Sequence, residues 1–159
     1  MSLRDFRERY PLLIDHLLLA RSGGRVAHGY LISGDNSETI ECFAESWIRA
    51  NACHQIVDGD ACGTCDSCIR LENGTYPDRL NLRPVSKARQ IRIDEVRELE
   101  QFLSHRSDGH LRIGAIYDAD CMNEAAQNAF LKTLEEPSED TLLILVATRP
   151  ARMLATIRS

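Results

Sequence analysis

The sequence predicts an α/β fold, a parallel sheet with helices on both faces, and three observations carry that expectation. Thr141–Ala147 (Thr-Leu-Leu-Ile-Leu-Val-Ala) is a continuous apolar run of the length of a fully buried strand. Shorter runs of the same kind lie at residues 28–33, 79–83 and 111–117. The segments between them show helical rather than alternating spacing of apolar residues, and strands joined through helices require right-handed crossovers and therefore parallel pairing.

Taken in order, residues 12–21 form a short apolar segment ended by Gly23-Gly24, which predicts an amphipathic helix with a glycine stop. Residues 28–33 (His-Gly-Tyr-Leu-Ile-Ser) read as a buried strand turning at Gly34. Ser37–Ala52 is expected to be helical, with Ile40, Phe43, Ala44, Trp47 and Ile48 on one face. Residues 53–78 are rich in Cys, Gly, Asp and Asn and predict an irregular insertion. After a short strand at 79–83, Ile93–Ser104 predicts a helix that turns Val96, Leu99, Phe102 and Leu103 inward. A strand at 111–117 and a helix at 123–136, with Asn123 as its N-cap, lead to the last strand. No internal repeat or low-complexity segment interrupts the pattern.

A chain of 159 residues with 43% hydrophobic and 27% charged residues has globular composition and the length of one ordinary domain. Its 19 Lys and Arg against 24 Asp and Glu leave a net charge of -5, which argues against a dedicated, globally basic nucleic-acid module while leaving room for a local basic strip. The first ten residues carry Arg4, Asp5, Arg7, Glu8 and Arg9 with no apolar run behind them, unlike a signal peptide. The longest apolar stretch, residues 12–20, is broken by Asp15 and His16 and cannot span a bilayer. A cytoplasmic location is expected.

Cysteine is the sharpest local signal. Four of the six fall as Cys53-x8-Cys62-x2-Cys65-x2-Cys68, and thiolates two residues apart can grip one ion from a tight turn in which Gly63 supplies the backbone freedom. Four thiolates suit tetrahedral Zn2+ in a structural role, since no coordination position is left open. An iron–sulfur cluster is the competing metal reading, because Cys62, Cys65 and Cys68 match the opening of a ferredoxin run, although its fourth Cys and Pro do not follow. Disulfides, which fit a secreted chain, and four unligated thiols are the remaining alternatives. His54 is a possible substitute ligand that a fourth Cys makes unnecessary. Cys42 and Cys121 lie outside the spacing and are expected in the core.

A strand ending in glycine and leading into a helix is the setting of a phosphate loop, G-x-x-x-x-G-K-[ST]. This chain instead reads Gly34-Asp-Asn-Ser-Glu-Thr39-Ile40-Glu41, so Thr39 stands for the second glycine, Ile40 for the lysine and Glu41 for the Mg2+-binding hydroxyl. Backbone room, cation and metal ligand are all lost, and Asp35, Glu38 and Glu41 add negative charge. A like-charge pair at 4 Å costs on the order of 4 kcal/mol at an effective dielectric of 20, more than a charged hydrogen bond of about 1.5–3 kcal/mol returns. ATP is not expected to bind. The plain alternative is that Gly34 is only a strand-to-helix turn. Asp118, after the strand at 111–117, occupies the position of an ATPase's Mg2+-holding acid, but Ala119 follows where a water-activating glutamate would be needed. The alternative for Asp118 is a cap on the turn that follows it. The helix at 123–136 closes on Glu135 and Glu136, two acids that oppose its dipole, which points either to a partner contact or to a tolerated solvated pair.

Taken together, His28-x-Tyr30-Leu-Ile-Ser-Gly34, the insertion ending Cys62-Gly-x-Cys65-x-x-Cys68, Tyr76-Pro-Asp78, Leu131-Lys-Thr-Leu-Glu-Glu-Pro137 and Leu145-Val-Ala-Thr148-Arg-Pro resemble the bacterial DNA polymerase III clamp loaders along nearly the whole chain from about residue 12. Within that family the degenerate loop and Asp-Ala-Asp resemble the delta-prime branch rather than the ATP-hydrolysing gamma and tau subunits. The resemblance implies an AAA+ core with a five-stranded parallel sheet, a zinc-binding insertion at about 53–72, and no nucleotide turnover. It places Thr148 where active relatives carry a polar sensor. It further implies a stator-like role with gamma/tau and delta partners, acting through the complex on the sliding clamp and primed DNA. The family's Ser-Arg-Cys motif would begin at Ser159, and lid and collar domains would follow, so this chain is expected to be a monomeric first domain. The competing functions are a gamma-like ATPase, against which Ile40 argues, and a zinc-containing nucleic-acid module, against which the acidic balance argues.

Overall fold

The computed structural model describes residues 2–24, 26–85, 88–105 and 111–158. Ser159, where the Ser-Arg-Cys motif is expected to begin, lies outside the described residues. In chain order the elements are α1 (Leu3–Arg9), α2 (Pro11–Ser22), β1 (Gly29–Ser33), α3 (Ser37–Ala52), β2 (Ile56–Val57), β3 (Asp60–Ala61), α4 (Asp66–Glu72), β4 (Arg79–Leu82), α5 (Ile93–Ser104), β5 (Arg112–Ile116), α6 (Glu124–Glu135), β6 (Thr141–Ala147) and α7 (Ala155–Arg158). They form two compact units, Met1–Ala27 with Glu41–Pro77, and His28–Ile40 with Asp78–Ser159.

The second unit holds the sheet. Its strands pair in the order β1-β6-β5-β4, all parallel, with Leu31 opposite Leu145 and Ala115 opposite Ile144. All seven residues of β6 are buried, as a continuous apolar run requires of a central parallel strand. The resemblance implied five strands, but among the described residues the sheet has four. The four apolar runs read from the sequence account for these four strands, and the expectation of a fifth rested on family likeness alone. An apolar cluster unites α5, α6 and the sheet through Val96, Leu99, Leu103, Ile116, Ala126, Phe130, Leu143 and Leu145.

Two local devices position this sheet. Asp78 meets the Arg112 guanidinium at 3.5 Å, and Arg112 also donates to the Phe102 carbonyl at 2.7 Å while lying 4.8 Å from that residue's ring centre. The start of β5 is thereby tied to α5 and to the entry of β4. Arg79, the first residue of β4, donates to the Tyr117 hydroxyl at 2.8 Å, and the Arg83 guanidinium, just past the strand's end, covers the Tyr117 ring at 4.0 Å. Tyr117 is buried, so its hydroxyl needs such a donor or acceptor to offset lost hydration.

The first unit contains α1, α2, most of α3, the β2–β3 ribbon and α4. Helix α1 was not anticipated, yet its start carries a Ser-x-x-Asp capping box in which Ser2 N–H donates to Asp5 at 2.7 Å and Asp5 N–H to the Ser2 hydroxyl at 3.4 Å. The hydrogen bond from the Ser2 amide holds the Asp5 carboxyl below its usual range. Phe6 meets Phe43 edge-on at 5.2 Å. Helix α2 ends at Gly23 and Gly24 as expected, with Gly24 at φ +69°. Its amphipathic reading needs correction: only Ile14 is buried, while Leu12 and Leu19 are 86% and 72% exposed. With five leucines and one Ile around the helix, there are more apolar side chains than one buried stripe accommodates.

Gly114 offers a direct test of packing in the sheet. A Cβ there would lie 3.1 Å from Leu99 and 3.2 Å from Leu143, so added side-chain volume enters a filled layer. Gly114→Val is expected to destabilise the protein by about 1–3 kcal/mol, read as a lower urea midpoint at unchanged slope. An unchanged midpoint would show that the α5–β5 contact yields without cost.

Candidate functional site

Four cysteines converge within the first unit. Helix α3 ends at Ala52 and sets Cys53 immediately after it, where Arg21 donates to the carbonyls of Ala50 at 2.9 Å and Cys53 at 3.2 Å. A guanidinium on the last carbonyls of a helix satisfies orphan acceptors and the dipole together. The β2–β3 ribbon then returns the chain to Cys62, turning on Asp58 and Gly59 at φ 52° and 76°. Asp-Gly with both residues in the left-handed region favours a tight hairpin. The sequence reading missed this ribbon inside the Cys- and Gly-rich segment, although Ile56-Val-Asp-Gly-Asp-Ala61 carries its signal. Gly63, at φ +74° with open space around its Cα, makes the next turn, and Cys65 caps α4 so that Cys68 falls in its first turn.

The Sγ atoms of Cys53, Cys62, Cys65 and Cys68 all lie within 4.8 Å of one another, with Cys65 and Cys53 4.0 Å apart. Tetrahedral thiolates around one Zn2+ at about 2.3 Å would be about 3.8 Å apart, so the donor set fits a four-coordinate metal. Backbone amides converge on the same sulfurs: Cys62 N–H on Cys53 at 3.3 Å, Cys65 N–H on Cys62 at 3.3 Å, Thr64 N–H on Cys62 at 3.5 Å and Cys68 N–H on Cys65 at 3.5 Å. Donors aimed at sulfur favour thiolate, and the Thr64 amide with that of Cys65 brings the Cys62 thiol down to about 6. Burial raises the Cys65 thiol, but the amides of His54 and Cys68 outweigh it and the net shift is downward. Burial pushes Cys68 the other way, to about 12. The metal-ligand set read from spacing is thus brought together in full. His54 is not part of it: its Nε2 lies 3.1 Å from the Ser67 hydroxyl. Cys42 and Cys121 stand apart and are half-buried rather than core, with the Cys121 thiol pushed up by burial.

The phosphate-loop position is built in the second unit from β1 and the first turn of α3. Ile40 is buried, and its Cγ2 lies 2.8 Å from where a Cβ on Gly34 would be, so the isoleucine side chain folds back over the glycine. Asn36 Oδ1 accepts from Thr39 N–H at 2.9 Å, which occupies one of the amides an anion would use. Asn36 is the cap that motif alignment overlooked, though Asn directly before a helical run is a common signal. Asp35 and Glu38 are exposed, and Glu41 continues the helix half-buried.

Parallel pairing brings two further residues to the carboxyl edge where Gly34 lies, because Ser33 pairs with Ala147 and Ile116 with Leu145. Gly34, Thr148 and Asp118 therefore leave the sheet on one side. Asp118 does not cap the following turn: it sits at φ 50° without a side-chain cap and meets Arg89 at 3.3 Å instead. Ala119 is fully buried in the apolar cluster, where a carboxylate would be desolvated. Glu135 and Glu136 are exposed, and among the described residues neither has an ion pair.

Comparison with known proteins agrees with this architecture. The profile of a family described as DNA polymerase III, delta subunit, matches residues 11–159. DNA polymerase III subunit delta' of Pseudomonas aeruginosa is 39% identical over 145 residues, covering 89% of this chain and 44% of that protein. The subunit delta' of Escherichia coli is 33% identical over 154 residues, covering 94% of this chain and 46% of that protein. The chain spans less than half the length of these two relatives. Among solved structures, a DNA polymerase III gamma subunit-related protein from Thermotoga maritima superposes with a TM-score of 0.57 at 21% identity, over 99% of this chain and 43% of that one. At that identity the likeness is one of fold.

Proposed function

Because the chain belongs to the DNA polymerase III delta-prime family, we propose that it forms the first, AAA+-type domain of a clamp-loader subunit that does not turn over ATP and acts as a rigid stator. Both compact units belong to that one domain on this reading, and the remaining length of its relatives corresponds to lid and collar domains. Its partners are the gamma/tau and delta subunits, and through the complex the sliding clamp and primed DNA, in the cytoplasm. The observation that carries the proposal is the filled phosphate-loop position. Ile40 occupies the space over Gly34, Asn36 takes the Thr39 amide, and Ala119 leaves no base to activate water. A gamma-like ATPase would need that space open, that amide free and a base in place of Ala119, and a zinc-containing nucleic-acid module has no globally basic surface to support it at a net charge of -5.

Calorimetry with Mg-ATP is expected to show no binding in the micromolar range. Ile40→Lys alone is expected not to restore it, because Thr39 and Glu41 still replace the second glycine and the Mg2+ ligand. A micromolar dissociation constant for the unaltered chain would overturn the reading.

The four-cysteine cluster is proposed to hold one structural Zn2+. When bound, the ion supplies a four-way cross-link between the end of α3, the Cys62 turn and α4, with every ligand position filled by protein. Elemental analysis should give about one zinc per chain, with no visible iron–sulfur absorbance. Cys62→Ser should release the metal and increase amide exchange across residues 53–72 while the parallel sheet persists. Collapse of the whole domain on metal loss would show that the site is not local.

Reconstitution tests the role itself. The intact subunit carrying this sequence, mixed with gamma and delta, should support DNA-stimulated ATP hydrolysis that depends wholly on gamma. Hydrolysis sustained when gamma is catalytically inactive would assign an active nucleotide site to this subunit and sink the stator proposal. The 159-residue chain alone is expected to sediment as a monomer.

A further inference from the structure

Two ligand-bearing segments of the cysteine cluster are joined by a contact that involves no sulfur. His54 Nε2 and Ser67 Oγ lie 3.1 Å apart, across 13 positions of sequence. His54 directly follows Cys53 and Ser67 directly precedes Cys68, and these are the two buried thiols of the four. Ser67 is itself 3% exposed, so its hydroxyl is held away from bulk water and depends on a protein partner. The His54 amide is also aimed at Cys65. The segment that follows α3 and the start of α4 are therefore joined at two points, one through the Cys65 sulfur and one through side chains.

Resting on the reading of the cluster as a metal site, we propose that the His54–Ser67 hydrogen bond is a clasp that positions Cys53 and Cys68 and sets how long the metal is retained. Cys62 and Cys65 are held by their own turn, whose amides bond to sulfur within three residues. Cys53 and Cys68 have no such shared turn. Their separation depends on how the end of α3 and the start of α4 are held, and the clasp ties those two segments together. Without it, each dissociation of one thiolate lets the two segments part before the bond re-forms. Outer contacts that orient ligands act on metals in this way. The clasp pairs an exposed imidazole with a buried hydroxyl, so its effect is that of one ordinary hydrogen bond rather than of a lost ligand.

The test uses the zinc-loaded chain and transfer of zinc to a chromophoric chelator, together with the absorption spectrum of the cobalt-substituted protein. Ser67→Ala and His54→Ala are each expected to speed zinc release about two- to tenfold, with the four-thiolate cobalt spectrum preserved in intensity. The double variant should release zinc no faster than either single one, since both remove the same contact. His54→Gln, which keeps a hydrogen-bonding group, should recover part of the slow release. Unchanged release rates, or additive effects in the double variant, would overturn the clasp. Loss of a ligand band on His54→Ala would also overturn it, by making the histidine a ligand. A chain that carries no zinc at all would instead defeat the underlying metal reading, and unaltered protein analysed in parallel separates the two failures.

Discussion

The burial of β6 between β1 and β5 is the constraint on which the sheet unit depends. All seven residues from Thr141 to Ala147 are buried, so their side chains must be apolar or internally satisfied, and their amides and carbonyls must pair with neighbours on both sides. Parallel pairing on both sides then puts the carboxyl ends of β1, β5 and β6 along one edge. Gly34, Asp118 and Thr148 emerge there for that reason alone. Nucleotide-binding α/β proteins use this edge because helix N-termini and strand-end loops converge on it. The present chain keeps the framework and alters what stands at its rim.

The alteration amounts to substitution by self-contact. Where a phosphate would take backbone amides, Asn36 takes one. Where it would sit over glycine, the Ile40 side chain lies. Where an acid would hold a metal, Asp118 pairs with Arg89, and the next position is an alanine in the apolar cluster. Each contact engages a group that a phosphate or metal ion would engage in a nucleotide-binding loop.

The cysteine cluster shows the same economy on a smaller scale. A tight hairpin, a glycine turn and a cysteine-capped helix bring four sulfurs within 4.8 Å using about sixteen residues from Cys53 to Cys68. The amides of the turns point at the sulfurs because small turns leave their N–H groups without helical or sheet partners. Opposite shifts of Cys62 and Cys68, one lowered by amide donors and one raised by burial, show two environments within one cluster. Ligand spacing explains why the site can form, and local turn chemistry explains its shape.

Much of this was legible in the chain because it depends on short spacing. Helix α5 and helix α3 run over the residues their apolar periodicity indicated, the four strands lie within a residue or two of their apolar runs, and the four cysteines meet as their spacing implied. The missing lysine at Ile40 needed no structure to be noticed. The overlooked α1 and the β2–β3 ribbon were also local, a capping box and an Asp-Gly turn hidden by composition. Other features joined distant residues and had no local pattern. Arg89 meets Asp118 across 29 positions, His54 meets Ser67 across 13, and Asp78 is paired with Arg112. The exposure of Leu12 and Leu19 was equally invisible, since periodicity tells which side chains share a face but not whether a neighbour covers it. Residue type and spacing determined the elements and the meeting of the four cysteines, and placed Ile40 where a phosphate loop carries lysine. The tertiary structure alone decided pairs such as Arg89 with Asp118 and His54 with Ser67, because only packing brings together side chains that are far apart along the chain.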